Sequence, residues 1–479
     1  GRMKRGWRRA VCLSGGLVFS VLCWWSDGHA GKLEDLLLEN KQITIDQWIK
    51  LKAEEEKLQV KEFEESRGVG DVPVRERWYE KISIRGYAQL RYNYTINNDL
   101  LRSNQADRSI SGYNELFLRR GRVIVSGQPH ERVFIYVQPE FASLVGGTEQ
   151  AVALRDIYSD LFLSEKKEWR IRAGLSKVPF GFENIQSSQN RLALDRNDAL
   201  NSGVPNERDL GLFLYYAPTA VRERFRRLVD SGLKGSGDYG MLGLGIYNGQ
   251  GVNTRERNKD KHTVFHFTYP YEFPDGQIVQ VGMDAYRGQF NVQTTPVVPT
   301  NVNAAQGQAF SPRVTNSGNY LDERVAWHVV LFPQPFGFQA EYMIGRGPEL
   351  NQARTEVVLG TVRGGYIQAY YNYQCDFYCQ NIIPFLRVQE YFGGRKAELN
   401  SPRNSVREWE VGLEYQFNRA LELTVSYAWA QRTSDQANFV PAGSPSGACA
   451  VAGSQLGCVQ SPYQLQSGNL LRFQLQWSF

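Results

Sequence analysis

A two-residue alternation of apolar and polar side chains runs through this chain from Ile82 to Phe479, and it restricts the fold more than any other feature. The last ten residues, "LLRFQLQWSF", show it plainly. Leu471, Phe473, Leu475, Trp477 and Phe479 fall on one face of an extended strand, with Arg472, Gln474, Gln476 and Ser478 on the other. In "ISIRGYAQLRYNY", Ile82, Ile84, Ala88, Leu90, Tyr92 and Tyr94 oppose Arg85, Gln89 and Arg91. "RVFIYVQPEF" sets Val133, Ile135 and Val137 against Arg132, Tyr136, Gln138 and Glu140, and "EWRIRAGLS" sets Trp169 and Ile171 against Arg170 and Arg172. "REWEVGLEYQF" sets Trp409, Val411 and Leu413 against Glu408, Glu410 and Glu414. A period of two rather than 3.6 means strands, each with one greasy and one polar face.

Sixteen such segments are legible, near 82–94, 112–126, 131–141, 153–164, 168–177, 207–217, 238–248, 259–270, 277–287, 321–332, 335–345, 364–374, 383–392, 405–417, 421–432 and 469–479. The connections are more telling. Those near 126–130, 164–168, 332–335 and 418–420 are short, whereas 95–111, 142–152, 178–206, 249–258, 288–320, 346–363, 393–404 and 433–468 are long. A soluble sandwich has no reason to lengthen every second loop. A transmembrane barrel does, with short turns at the periplasmic end and long loops outside. One connection breaks the rule: 218–237, containing "VRERFRRL", stands where a turn belongs.

The expected fold is therefore all-β: a sixteen-stranded antiparallel transmembrane β-barrel over 81–479, both ends in the periplasm. Lipid offers no hydrogen-bond partners, so the sheet must close on itself. The greasy faces meet lipid, the polar faces border a lumen, and sixteen strands leave room for water inside. The 25 Tyr, 25 Phe and 10 Trp suit interfacial girdles. No apolar run reaches the length of a spanning helix, which has no bearing on a barrel.

The first thirty residues read as an export signal: Lys4, Arg5, Arg8 and Arg9, then "AVCLSGGLVFSVLCWW", then "GHA" ending at Ala30. Residues 1–30 hold five of the 55 basic and one of the 50 acidic side chains, so the remainder carries 50 against 49. That near balance points away from a nucleic-acid partner. Residues 31–80 are rich in Glu, Lys and Leu and read as a short periplasmic helical segment, with Trp48, Leu51, Leu58 and Phe63 roughly on one stripe, followed by the linker "GVGDVP". Beyond the signal lie Cys375, Cys379, Cys449 and Cys458, two close pairs in an exported chain. A disulfide is expected between Cys449 and Cys458, in the last long loop. Cys375 and Cys379 are spaced tightly for one, at a periplasmic turn.

Several stretches, "FLRRGRVIVSG" at 117–127, "IRAGLSKVPFGFENIQSS" at 171–188 and "GIYNGQG" at 245–251, resemble the phosphate-selective porin O and P family of bacterial outer membranes. "GLSKVPFGFEN" is the most specific, and Phe479 resembles the last-residue signal of outer-membrane barrels. The resemblance implies an outer-membrane porin: a water-filled channel for passive diffusion of small solutes or ions, anion- or phosphate-preferring, assembled as a homotrimer, without cofactor, metal or catalysis. It further implies that the third outward loop, 178–206, folds inward and narrows the barrel with Arg191, Asp195, Arg196 and Asp198. A short amphipathic helix in "NRLALDRNDAL" would pin that loop to the wall through Leu192, Leu194 and Leu200.

The residues themselves give a mixed lumen. Candidate pore-lining groups are Arg85, Arg91, Arg120, Arg122, Arg132, Arg170, Arg172, Arg472 and the loop residues Arg191 and Arg196, facing Glu140, Asp156, Asp160, Asp284, Glu341, Glu408, Glu410 and Glu414. Strict alternation cannot send Arg119, Arg120 and Arg122 to one face, so a bulge or a snorkelling arginine is expected there. Rings of such charge select ions, but an arginine–carboxylate ladder also simply keeps a wet wall stiff. His262 and His266 lie about 13 Å apart on a strand, too far to share an ion. The glycines of "GMLGLGIYNGQG" read as room for bulky neighbours. The alternative to a channel is an outer-membrane scaffold or surface anchor with a closed lumen.

Overall fold

The computed structural model describes residues 81–96, 114–143, 150–294, 318–352, 356–375, 378–435 and 463–479. The export signal, the helical segment at 31–80 and the Cys449–Cys458 pair lie outside these residues.

The strands are β1 (Ile82–Thr95), β2 (Glu115–His130), β3 (Val133–Ser143), β4 (Gln150–Phe162), β5 (Trp169–Lys177), β6 (Arg208–Tyr216), β7 (Leu242–Tyr247) and β8 (His262–Glu272). They continue with β9 (Ile278–Asn291), β10 (Asn319–Leu331), β11 (Phe336–Leu350), β12 (Val357–Tyr371), β13 (Tyr373–Gln374), β14 (Asn381–Gly394), β15 (Arg403–Asn418), β16 (Leu421–Asp435) and β17 (Tyr463–Ser478). Each pairs antiparallel with its chain neighbours, and β12 and β13 both pair with β14, forming one crossing interrupted at Asn372. The wall therefore has sixteen crossings, as the alternation predicts. β1 closes it by pairing with both β2 and β17, in a register that sets Tyr87 opposite Ser478 and Thr95 opposite Leu470. The Phe479 amide donates to the Gly86 carbonyl at 3.0 Å and the Phe479 carbonyl accepts from the Gly86 amide at 2.8 Å, so β1 begins and β17 ends at the end of the short turns.

The two faces separate as expected. Arg472, Gln474 and Gln476 are buried on the inside, and Trp477 and Phe479 are exposed outside. Gly243 and Gly245 face inward opposite Tyr215 and Phe213, and a Cβ on either would run into those rings.

Among the differences from the sequence reading, three bear on the lumen and its rims. The connection at 346–363 is no long loop, because β11 runs on to Leu350 and β12 starts at Val357. Gly345, Gly347, Gly360 and Gly364 had hidden the alternation there, yet Gly347 pairs with Gly360 in register. Arg132 sits in the two-residue turn Glu131–Arg132 and is exposed, since β3 begins two residues later than the pattern suggested and 126–130 belongs to β2. The irregular connection after β6 contains the helix Thr219–Asp230, which buries Val221, Phe225 and Leu228.

Cys375 and Cys379 are disulfide-bonded at the turn after β13, with Cα atoms 5.4 Å apart. Alkylation of the unfolded, non-reduced protein should leave both unmodified, and peptide mapping checks this directly.

Candidate functional site: the filled lumen

The chain leaves β5 through Pro179-Phe180-Gly181 and turns inward. Gly181 adopts a φ of 87°, a region that favours glycine. Its amide donates to Asp284 Oδ2 at 2.8 Å. The next two amides, of Phe182 and Glu183, donate to the two oxygens of Glu341 at 2.6 and 3.2 Å. Glu183 in turn accepts from Arg387 at 2.5 and 3.0 Å and from the Asn197 amide at 2.6 Å. Segment 178–206 thus lies inside the barrel, tied to carboxylates and an arginine of β9, β11 and β14. Asp284, His328 and Glu341 bring donor atoms within 4.8 Å of one another. Their carboxylate oxygens already serve the loop amides, which makes the trio an anchor of the loop.

The loop's apolar side is pinned as well. Leu192 packs with Tyr370, Ile383 and Phe385, while Phe180 and Leu200 join the largest buried cluster with Phe213, Tyr286 and Met343. The helix is shorter and later than expected, Asp198–Gly203. Asn197 caps it by accepting the Ala199 and Leu200 amides at 2.9 and 3.2 Å. Just upstream, over 191–197, Asp195 is drawn to the wall and the chain stays non-helical.

The opposite wall is cationic. The register of β1 and β2 shifts between Gln89 and Leu90, leaving Arg119 as the extra residue. The bulge lets all of Arg119, Arg120 and Arg122 reach the lumen. Asp195 accepts from Arg91 at 2.9 and 3.1 Å, from Arg472 at 2.6 Å and from Arg119 at 3.5 Å. Burial opposes ionisation of Asp195, but Arg91, Arg472 and Arg119 override it and hold its carboxyl well below the usual range. Arg122 pairs with Glu140, and Arg120 donates to the neutral Gln89 at 2.8 Å.

Arg191 differs from all of these. It is 6% exposed, and none of its three guanidinium nitrogens has a hydrogen-bond partner. Its charge and those of Arg119, Arg122 and Arg91 all act on Arg120. Burial pulls Arg191 below the ordinary guanidinium value. Arg196, by contrast, pairs with Glu207 at 2.9 Å. A buried guanidinium with five free donors beside further arginines is a ready receptor for an anion.

The other sequence candidates are spoken for. Arg170 pairs with Asp238 at 2.8 Å, and Arg172 with Asp160 at 2.7 and 2.9 Å while lying 3.9 Å over the Tyr158 ring. Arg85 is exposed at the turn end, and Arg132, in its turn, does not line the lumen. His262 and His266 serve different carboxylates, Asp322 at 3.5 Å and Asp284 at 2.5 Å.

The alternation did not reveal the lumen groups Arg395, Lys396 and Lys234, because they sit in connections. Arg432 was accessible to it as an inward position of β16. Arg395 and Arg432 both pair with Asp198, and Lys396 pairs with Asp322. Burial pulls the Lys396 ammonium down to about 8, against the attraction of Asp322. A group so placed is charged below that pH and neutral above it. The lumen should therefore lose positive charge between pH 7 and pH 9, moving the reversal potential toward the cation, and the Lys396→Met variant should lose that part of the change; reversal potentials at the two pH values provide the check.

A further inward element, after β6, enters from the turn end. After the helix Thr219–Asp230, Lys234 pairs with Glu414 of β15 at 2.6 Å. The Lys234 carbonyl accepts from Gln186 of the inward loop, also at 2.6 Å. Asp238 reaches Arg170 of β5. In the order of the wall, β5 and β15 are seven crossings apart one way and nine the other, so 234–238 spans nearly opposite walls.

Among curated proteins, none matches this sequence. Among solved structures, the chain is similar to OmpT, an outer membrane protein of Vibrio cholerae (9% identity, 83% of this chain, 97% of that one, TM-score 0.44). It is also similar to the outer membrane channel DcaP of Acinetobacter baumannii (12%, 83% and 97%, 0.46) and to Pseudomonas putida OprB (9%, 84% and 94%, 0.46). The family model for phosphate-selective porin O and P matches residues 86–456, well over half of the chain. With a closed barrel, an apolar outer wall and a charged lumen narrowed by its third outward loop, the chain belongs to the phosphate-selective porin O and P family of the bacterial outer membrane.

Proposed function

We propose that this porin passes small anionic solutes by diffusion, and that the cluster of Arg191 with the Arg119, Arg120 and Arg122 bulge is where they are selected. The observation that carries this reading is the buried, partnerless guanidinium of Arg191. Buried N–H donors without acceptors are costly; Glu207, Glu183 and Asp195 attract the Arg191 charge from further off without accepting from it, and a passing anion would relieve that cost. Among the described residues, no element of the lumen singles out phosphate over other small oxyanions. The test is current through planar bilayers with reversal potentials in a KCl gradient, followed by competition with phosphate and sulfate.

A second reading, a scaffold with a closed lumen, draws on the 234–238 bridge. It predicts no conductance until that segment is removed. As part of the same proposal, residues 1–30 are a cleaved export signal, 31–80 a periplasmic helical segment, and the working unit is a homotrimer with its short turns in the periplasm.

A further inference from the structure

The outer wall is uneven. Near the loop end of β2 to β7, the outward positions are apolar: Leu116, Phe141, Val152, Leu154, Leu210 and Ile246. Across β9 to β15 a belt of charge replaces them. Arg287 and Arg346 flank Glu323, and Arg363, Glu390 and Arg407 follow on β12, β14 and β15. Arg363 and Arg407 are exposed, and among the described residues neither makes an ion pair. Arg363 lies 5.7 Å from the Phe392 ring, and Glu390 accepts only a long 3.4 Å bond from Tyr342.

Height decides what these arginines meet. On β15, Arg407 is ten residues from the exposed Phe417 at the turn end, and on β12, Arg363 is eight from Tyr371. At about 3.3 Å per residue and a tilt near 40°, that places them roughly 20–25 Å above the turn-end aromatic girdle, at the far edge of the apolar band. This is the level of outer-leaflet head groups. Just below them toward the turn end, the wall is hollowed. Ala340 and Gly365 form a low floor with Ile367 and Val388, between the raised rings of Trp327 and Trp409. A shallow apolar groove with Arg407 and Glu390 at its rim, and Arg363 outside it on β12, fits one ligand chemistry: acyl chains in the groove and phosphate at the arginines.

We infer that β10 to β15 carry a binding site for a phosphorylated lipid of the outer leaflet, its phosphates held by Arg363 and Arg407 and its chains seated between Trp327 and Trp409. Arg363 and Arg407 are two strands apart, about 10 Å, so one head group bearing two phosphates reaches both. Glu390, opposite Arg407 in register, opposes phosphate and limits affinity.

Native mass spectrometry of the detergent-purified full chain, incubated with bis-phosphorylated lipid A, its dephosphorylated form or phosphatidylethanolamine, tests this. Wild-type protein should retain the bis-phosphorylated lipid at least fivefold better than the dephosphorylated form. The pair R363Q and R407Q should abolish that difference, and E390Q should enlarge it. Both variants change only exposed side chains, and heat-modified gel mobility verifies that each barrel is folded. Equal retention of all three lipids by the wild type, or unchanged retention by folded R363Q/R407Q protein, would overturn the inference.

Discussion

Replacing Arg191 with Gln should cut the anion-over-cation permeability ratio of the open channel by roughly fourfold or more. A unit charge about 5 Å from a passing ion is worth about 0.8 kcal/mol in bulk water, and about four times that at the effective dielectric of a protein-walled site. Most lumen arginines give little of this to the solute, because a carboxylate already answers them. Arg172 is bidentate on Asp160, Arg170 rests on Asp238 and Arg196 on Glu207. Arg191 has no hydrogen bond to lose, only the longer-range attraction of Glu207, Glu183 and Asp195, so its replacement should change selectivity more than it changes the fold. Arg196→Gln should shift the ratio less, since Glu207 keeps Lys177 and Arg208 at 2.9 and 3.3 Å. Arg255→Gln, on an exposed loop, should change nothing measurable. If Arg191→Gln matches the parent's reversal potential, the filter lies with Arg119 and Arg120 on the β2 bulge.

Replacing residues 219–240 with a short turn should raise single-channel conductance severalfold. The segment crosses the turn end of the lumen from Glu414 to Arg170, and Leu228 of its helix packs with Phe182, Ile278, Val330 and Phe332 just beneath the inward loop. Its removal opens the path below the constriction and deprives the loop of the Gln186–Lys234 contact. Anion preference should persist, because Arg191 belongs to the loop above. Lys234→Met is the milder variant: it unpairs Glu414 while keeping the helix, and it should make the open current noisier rather than much larger. Conductance unchanged by the deletion would mean that solutes already pass beside the segment.

The wall was readable because its physics is local. A strand between lipid and water must alternate, so Leu471, Phe473 and Leu475 declare one face and Arg472, Gln474 and Gln476 the other. The triple arginine of "FLRRGRV" announced either a bulge or a snorkelling arginine, since no regular strand could serve all three, and the register shift at Arg119 is the bulge. The lumen was less legible, because its partners are far apart in sequence. Asp195 meets Arg91 and Arg472, and Lys234 meets Glu414, only after the barrel has closed. Arg191 and Arg196 look alike in "NRLALDRNDAL", yet one is unpaired and the other neutralised. Glycine-broken stretches such as "IGRGPEL" concealed strand where ladder pairing, not side-chain pattern, sustains it. The basic connection after β6 stood out as too long for a turn, but nothing in its composition said that it would enter the barrel.

Single-channel recording of the wild-type protein in a planar bilayer under a KCl gradient bears most directly on the central claim. Discrete open-channel currents with a reversal potential displaced toward chloride are the predicted result. An absence of conductance would favour the closed scaffold, and a reversal potential displaced toward potassium would contradict an anion filter at Arg191.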